Sequence, residues 1–197
     1  MTTSTPADPT ADPGPHVVGL DISLTATGIA SSCGRTEVVG FKGSTSKEKI
    51  TNLPIPRRRD ELEALCARII TAVGTPELVV IERPAPSRSG GGAHERAWLW
   101  WETYGRLIDQ GIPVGFLAIQ QLKLYATGKS TGSKGPVIDA VARRWPAWAT
   151  DGDDNRADAV VLMAAGRDRL GEPLATVPKA HRAAIEKADW PTTLPTS

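Results

Sequence analysis

Cysteine is nearly absent from this chain. Of 197 residues only Cys33 and Cys66 are cysteines, and no C-x-x-C spacing occurs. That excludes a disulfide framework and a cysteine-built zinc site, and suits core or semi-core thiols in a cytosolic protein. Histidine is as scarce. His16, His94 and His181 match no metal-ligand spacing and are expected at the surface. Net charge is only +1, so a polyanionic partner has to be held by local basic patches. No apolar run approaches the ~20 residues of a membrane-spanning helix, and the opening MTTSTPADPTADPGP lacks a basic stretch followed by an apolar one, which argues against a secretory signal. The expectation is a soluble, cytoplasmic chain without internal repeats. A nucleotide-binding P-loop is missing too: the glycine-rich TGKSTGSKG at 127–135 would need a further glycine at position 123, which is Lys123.

The rest of the chain reads as one α/β domain. Residues 1–15, rich in Pro, Thr, Ala and Asp, read as a disordered arm, 16–171 as the domain, and 172–197 as a C-terminal extension with one short helical stretch. HVVGLDISL, TGIASS and TEVVGFKG predict three strands joined by short turns. STSKEKITNLPIPRRRD reads as a basic, proline-broken connection, and DELEALCARIITAV as a helix ending before Gly74. ELVVIER is a short, nearly continuous apolar strand of the kind buried in a parallel sheet. Then come a loop, the helix RAWLWWETYGRLIDQ, a fifth strand VGFLAI, the glycine-rich loop, a helix through VIDAVARRW, and a last long helix that begins in the acidic run TDGDDNRAD. Three antiparallel strands followed by alternating strands and helices predict a mixed five-stranded sheet with helices on both faces, the order of a ribonuclease H-like fold.

Acidic residues stand at the ends of these core elements. Asp21 interrupts an apolar strand, where an ionised side chain is costly unless paired or bound to metal. Glu82 ends LVVIE, and strand ends in α/β sheets are where sites assemble. In the acidic run, Asp154 and Asp158 share a helical face at i, i+4, as do Asn155 and Asp158 at i, i+3, whereas Asp153 points away. Taken singly, each has an ordinary explanation: a turn or cap for Asp21, an arginine partner for Glu82, a helix start for the acidic run. Together they form a set of hard oxygen donors without His or Cys, which selects Mg²⁺, with Mn²⁺ as a substitute. Two such ions ~3.5–4 Å apart support phosphodiester hydrolysis.

The segments GLDISLTATG with Asp21, VVIERP with Glu82, KLYATGKSTGSK with its lysines, and DDNRADAVVLMA with Asp158 resemble, in this order, the motifs of RuvC-type Holliday junction resolvases of the phage or bacterial type, within the ribonuclease H-like superfamily. The likeness runs over roughly residues 17–168. It implies a Mg²⁺-dependent endonuclease acting on four-way junctions or related branched DNA, as a homodimer. Asp21, Glu82, Asp158 and a fourth group, Asp154 or the neutral Asn155, would hold the metal. Lys123, Thr127, Gly128 and Lys134 match the family's lysine motif, which together with Lys129 implies contact with a DNA backbone. Three departures bear on substrate range: Ile22-Ser23 stands where Pro-Gly is common, Ala85 where an aromatic residue is expected, and Asn155 at an acidic position. They leave open a branched-DNA range broader than the four-way junction.

Local charge agrees with a nucleic-acid partner. Positions 121–146 hold five basic residues against one acidic, and 42–59 hold six against one. Trp98, Trp100, Trp101 and Tyr104 cluster on one helix and are read as core packing plus a dimer contact. Three other functions compete. An actin-like or sugar-kinase ATPase would use GLDISLTATG as a phosphate turn, but Ser23 replaces its glycine and the second domain is missing. A nuclease of the same fold acting on RNA–DNA hybrids is the nearest rival. A non-catalytic DNA-binding module gains nothing from clustered acid beside phosphate.

Overall fold

Residues 14–84, 91–133 and 135–194 are described in a computed structural model. The N-terminal arm up to position 13, Ala85 and Lys134 lie outside the described residues. β1 (Val17–Asp21), β2 (Thr27–Ser31) and β3 (Arg35–Val39) form an antiparallel meander. β4 (Leu78–Glu82) and β5 (Val114–Leu117) then join parallel to β1, giving the order β3-β2-β1-β4-β5. This is the mixed five-stranded sheet expected from the sequence. Alternation along the strands splits the core in two. Val18, Leu20, Val79 and Ile81 face α1 (Ile55–Val73) and α2 (Ala93–Asp109). Val17, Leu78, Val80 and Leu117 face α3 (Ile119–Thr127), α4 (Gly135–Arg144), α5 (Asp154–Arg169) and α6 (Lys179–Glu186). Every residue of α5 from Ala159 to Asp168 is buried, as the nearly unbroken apolar run in its middle requires.

Three elements depart from the sequence expectation. β1 stops at Asp21 rather than running to Leu24, because the chain turns there: Thr27 Oγ1 donates to the Ser23 carbonyl (2.7 Å) and accepts from its amide (3.0 Å). Asp21 is thus a strand end, not a mid-strand residue. α1 begins at Ile55, inside the stretch read as a connection, since Pro56 occupies the first turn, where its missing N–H costs nothing. α3 occupies residues placed in the fifth strand and the loop after it. Its cap at Ala118 relies on the Gln121 side chain accepting from the Ala118 amide (2.7 Å) rather than on a Ser, Thr, Asp or Asn.

The C-terminal segment covers part of the β5 edge of the sheet. Asp189 pairs through its backbone with Phe116 of β5 in both directions (2.8 and 3.1 Å), and the Trp190 ring covers Gly115. At this position the β5 edge is thereby blocked against further pairing. α6 is anchored below by the buried Ala184 and Ile185 and by a polar cluster. There Asp168, fully buried, accepts from Tyr125 Oη (3.1 Å) and from Arg182. Burial and that carboxylate push the Tyr125 phenol well above its usual range. His16 and His181 are half-buried rather than surface residues: His16 Nε2 bonds Ser31 Oγ (2.9 Å), and His181 Nδ1 bonds the Tyr125 carbonyl (3.2 Å). None of the described helices is long and apolar enough to cross a membrane.

Candidate active site

The parallel pairing of β1 with β4 sets Leu20 beside Ile81. The next residue in each strand is its last, so Asp21 and Glu82 end up side by side at the carboxyl edge of the sheet, one strand spacing of ~4.8 Å apart. Both are half-buried. Carboxylates on neighbouring strand ends add to the local negative potential, which favours a cation nearby.

α5 is laid over this edge by glycines. A Cβ on Gly19 would lie 2.1 Å from the Ala159 carbonyl oxygen, and one on Gly28 would lie 2.0 Å from that of Asn155. A Cβ on Gly166 would lie 2.7 and 2.8 Å from side-chain methyls of Val17 and Val80. Reading these contacts along both elements, α5 runs antiparallel to β1. Its first turn sits over Gly28, which is the β2 partner of Asp21. Asp154 and Asp158, half-buried, are carried to the same edge as Asp21 and Glu82. The rest of the acidic run has structural work. Asp153 is the N-cap, its side chain accepting from the Arg156 amide (2.9 Å), and Asp151, at φ 51°, pairs with Arg156 (2.6 Å). Asn155 belongs to the stripe resting on the sheet, and Asp154 and Asp158 to the adjoining one.

The donor set is oxygen only, which suits Mg²⁺ or Mn²⁺. Among the described residues, no three His, Cys, Asp or Glu side chains are gathered closely enough to form a metal cage. The open arrangement still fits magnesium, which usually takes one or two carboxylates and completes its shell with water and substrate phosphate. Asp21 and Glu82 could supply two carboxylates of this kind.

The lysine segment has a local structural logic of its own. Thr127 ends α3, with Oγ1 donating to the Lys123 carbonyl (2.8 Å) and accepting from the Lys129 amide (3.2 Å). Gly128 follows in the left-handed region at φ 80°, returning its amide to Leu124, and a Cβ there would strike His181. Thr127 and Gly128 therefore form a helix C-cap. Lys123 Nζ donates to the Gly132 carbonyl (2.7 Å), tying the loop to the helix, while Lys129 is exposed. Next to them lies a cleft of about 840 Å³ whose rim includes Lys129, Arg143, Arg144 and His181. The two arginines close α4, a signal present in the sequence as a basic last turn.

Support for Glu82 was not foreseeable from local sequence. Trp100 Nε1 donates to the Glu82 carbonyl (3.1 Å), and the Trp100 ring packs on Tyr104 and Phe116. Arg83, the next residue, pairs with Asp189 of the C-terminal segment. Part of the tryptophan cluster thus steadies the end of β4, while Trp101 stands 62% exposed.

No protein-family model matches the sequence, nor does any curated protein. Among solved structures the chain is similar to the Thermus thermophilus RuvC structure, with a TM-score of 0.55 and 20% identity over 83% of this chain and 99% of that one. It is similarly matched by T. thermophilus RuvC in complex with Holliday junction substrate, at a TM-score of 0.56 and the same identity and coverage. The likeness establishes the fold: the ribonuclease H-like sheet anticipated from the sequence is the architecture of RuvC.

Proposed function

We propose that this protein is a Mg²⁺-dependent endonuclease that nicks Holliday junctions or related branched DNA. The observation that carries the reading is the placement of Asp21 beside Glu82, with the acidic first turns of α5 above them, on the fold of RuvC. A solved relative of that fold holds a Holliday junction substrate. Asp21, Glu82, Asp158 and Asp154 would hold the metal, with Asn155 as the alternative to Asp154. When bound, the ions supply Lewis-acid polarisation of the phosphate and lower the pKa of water. The protein's own part is to fix these carboxylates: Trp100 and the Arg83–Asp189 pair brace β4, and Asp153 caps α5. Lys129, Arg143 and Arg144 on the cleft rim, together with the motif lysines Lys123 and Lys134, neutralise the strand that is delivered.

The active form is a homodimer. Trp101 and Ile108 on α2 and Ile55 on α1 are the large exposed apolar side chains among the described residues. A two-fold pair would present two sites to two opposed strands. The decisive experiment compares wild type with Asp21→Asn and Glu82→Gln on a mobile four-way junction. Both variants should lose Mg²⁺-dependent nicking and keep junction binding in EDTA. Substantial nicking by either removes the assignment. Competition among a junction, a flap and an RNA–DNA hybrid ranks the substrates.

A further inference from the structure

α6 stands as a ridge between two basic clefts. On one side is the cleft of about 840 Å³ beside the lysine loop, with Lys129, Arg143 and Arg144. On the other is a second cleft, of about 760 Å³, lined among others by Arg169, Lys179, Arg182 and Trp190. Ion pairs balance Arg143 with Asp139 and Arg182 with the buried Asp168, which leaves Lys129 and Arg144 as the excess charge on one side and Arg169 and Lys179 on the other. Glu186 is the acid on the outer side. Arg169 lies over the Trp190 ring, 5.9 Å from its centroid, which holds that guanidinium at the cleft. Along the ridge, Lys179, Ala180, Arg182, Glu186 and Lys187 are exposed, and none is bulky and apolar.

The basic clefts favour a polyanion, and the dimensions of the ridge admit duplex DNA. α6 has 8 residues, so it is ~12 Å long and ~10–12 Å wide with its side chains. The major groove of B-DNA is ~12 Å wide and admits one α-helix. We propose that α6 seats in the major groove of a DNA arm, the two clefts receiving the phosphates of the two strands that border it. This rests on the reading of the protein as a nuclease of branched DNA, and adds a duplex contact remote from the carboxylates. Arg182 sits at Asp168, near the far end of α5 from Asp154. At ~1.5 Å per residue the two ends of α5 are ~21 Å apart, which an arm running alongside α5 in this proposal spans in ~6 base pairs at ~3.4 Å each. A-form duplexes have a deep, narrow major groove and are excluded from this seat.

The test is dimethyl sulfate protection of guanine N7, which faces the major groove, on a four-way junction bound in EDTA. Wild type should protect guanines ~6 base pairs from the nick and bind long-armed junctions more tightly than those with arms below ~6 base pairs. Ala180→Trp, checked for an unchanged melting temperature, should lose both the protection and the arm-length advantage. Lys179→Ala should lower the slope of log K against log[salt] by ~1. Absence of arm protection in wild type, or an undiminished arm-length advantage in Ala180→Trp, overturns the proposal and leaves the nuclease reading intact. Arm protection by a wild type that never nicks does the opposite.

Discussion

Replacing Gly28 by alanine tests how the site is built. The added methyl would lie 2.0 Å from the Asn155 carbonyl oxygen and 2.4 Å from its carbon, both backbone atoms of α5. Ordinary contact begins at 3.4 Å, so the first turn of α5 must lift from the sheet by more than 1 Å, and no flexible side chain can absorb that. Overpacking of this kind costs ~1–3 kcal/mol. For a domain of this size ~2 kcal/mol lowers Tm by ~4–8 °C. The larger effect falls on chemistry, because the lifted turn carries Asp154 and stands opposite Asp21. A ~1 Å misplacement of reacting groups can cost ~100-fold in rate. Gly28→Ala should therefore lose nicking activity at temperatures where denaturant titration shows it fully folded. Gly105→Ala serves as control: it lies inside α2 with nothing within 4 Å of the new methyl and should gain ~0.5–1 kcal/mol through helix propensity. A Gly28→Ala protein that melts and nicks like wild type would refute the seating of α5 as the organiser of the site.

Three further outcomes are expected. Asp154→Ala should raise the Mg²⁺ concentration for half-maximal nicking far more than Asn155→Ala, since a divalent ion favours the charged group; the reverse ranking hands the role to Asn155. Lys123→Ala and Lys134→Ala should each lower the salt slope of junction binding by ~1; an unchanged slope for Lys123→Ala would make its bond to Gly132 its whole function. Burial, aided by Arg35, holds the His16 imidazole below its ordinary value of 6.5. The unfolded chain then binds more protons than the folded one, so this contribution to stability is present above pH 6.5 and lost as pH falls below it. His16→Asn should flatten that part of the denaturation-midpoint profile, and an unaltered profile would show that His16 does not carry it.

What could be read from the sequence depended on the range of the interaction that determines it. The apolar run ending in Glu82 reports burial on both faces, so a parallel strand with an acidic end could be recognised from composition there, whereas the end of β1 at Asp21 is set by the Ser23–Thr27 turn and could not. α3 could not, because its start has no Ser, Thr, Asp or Asn and its last turn dissolves into glycines that suggest a loop. Pro56 was ambiguous for a related reason, being a breaker inside a helix and harmless in a first turn. The contacts that steady Glu82 come from Trp100 and from Asp189, brought near only by packing. The Thr127-Gly128 pair joins the two kinds of information. A glycine there is demanded by φ 80° and by the His181 ring against it, so the helix end alone accounts for it. The same turn aims Lys129 outward into a basic cleft shared with α4. A motif that resembles a phosphate loop in sequence is therefore a helix terminus first, held in place by the His181 side chain of α6.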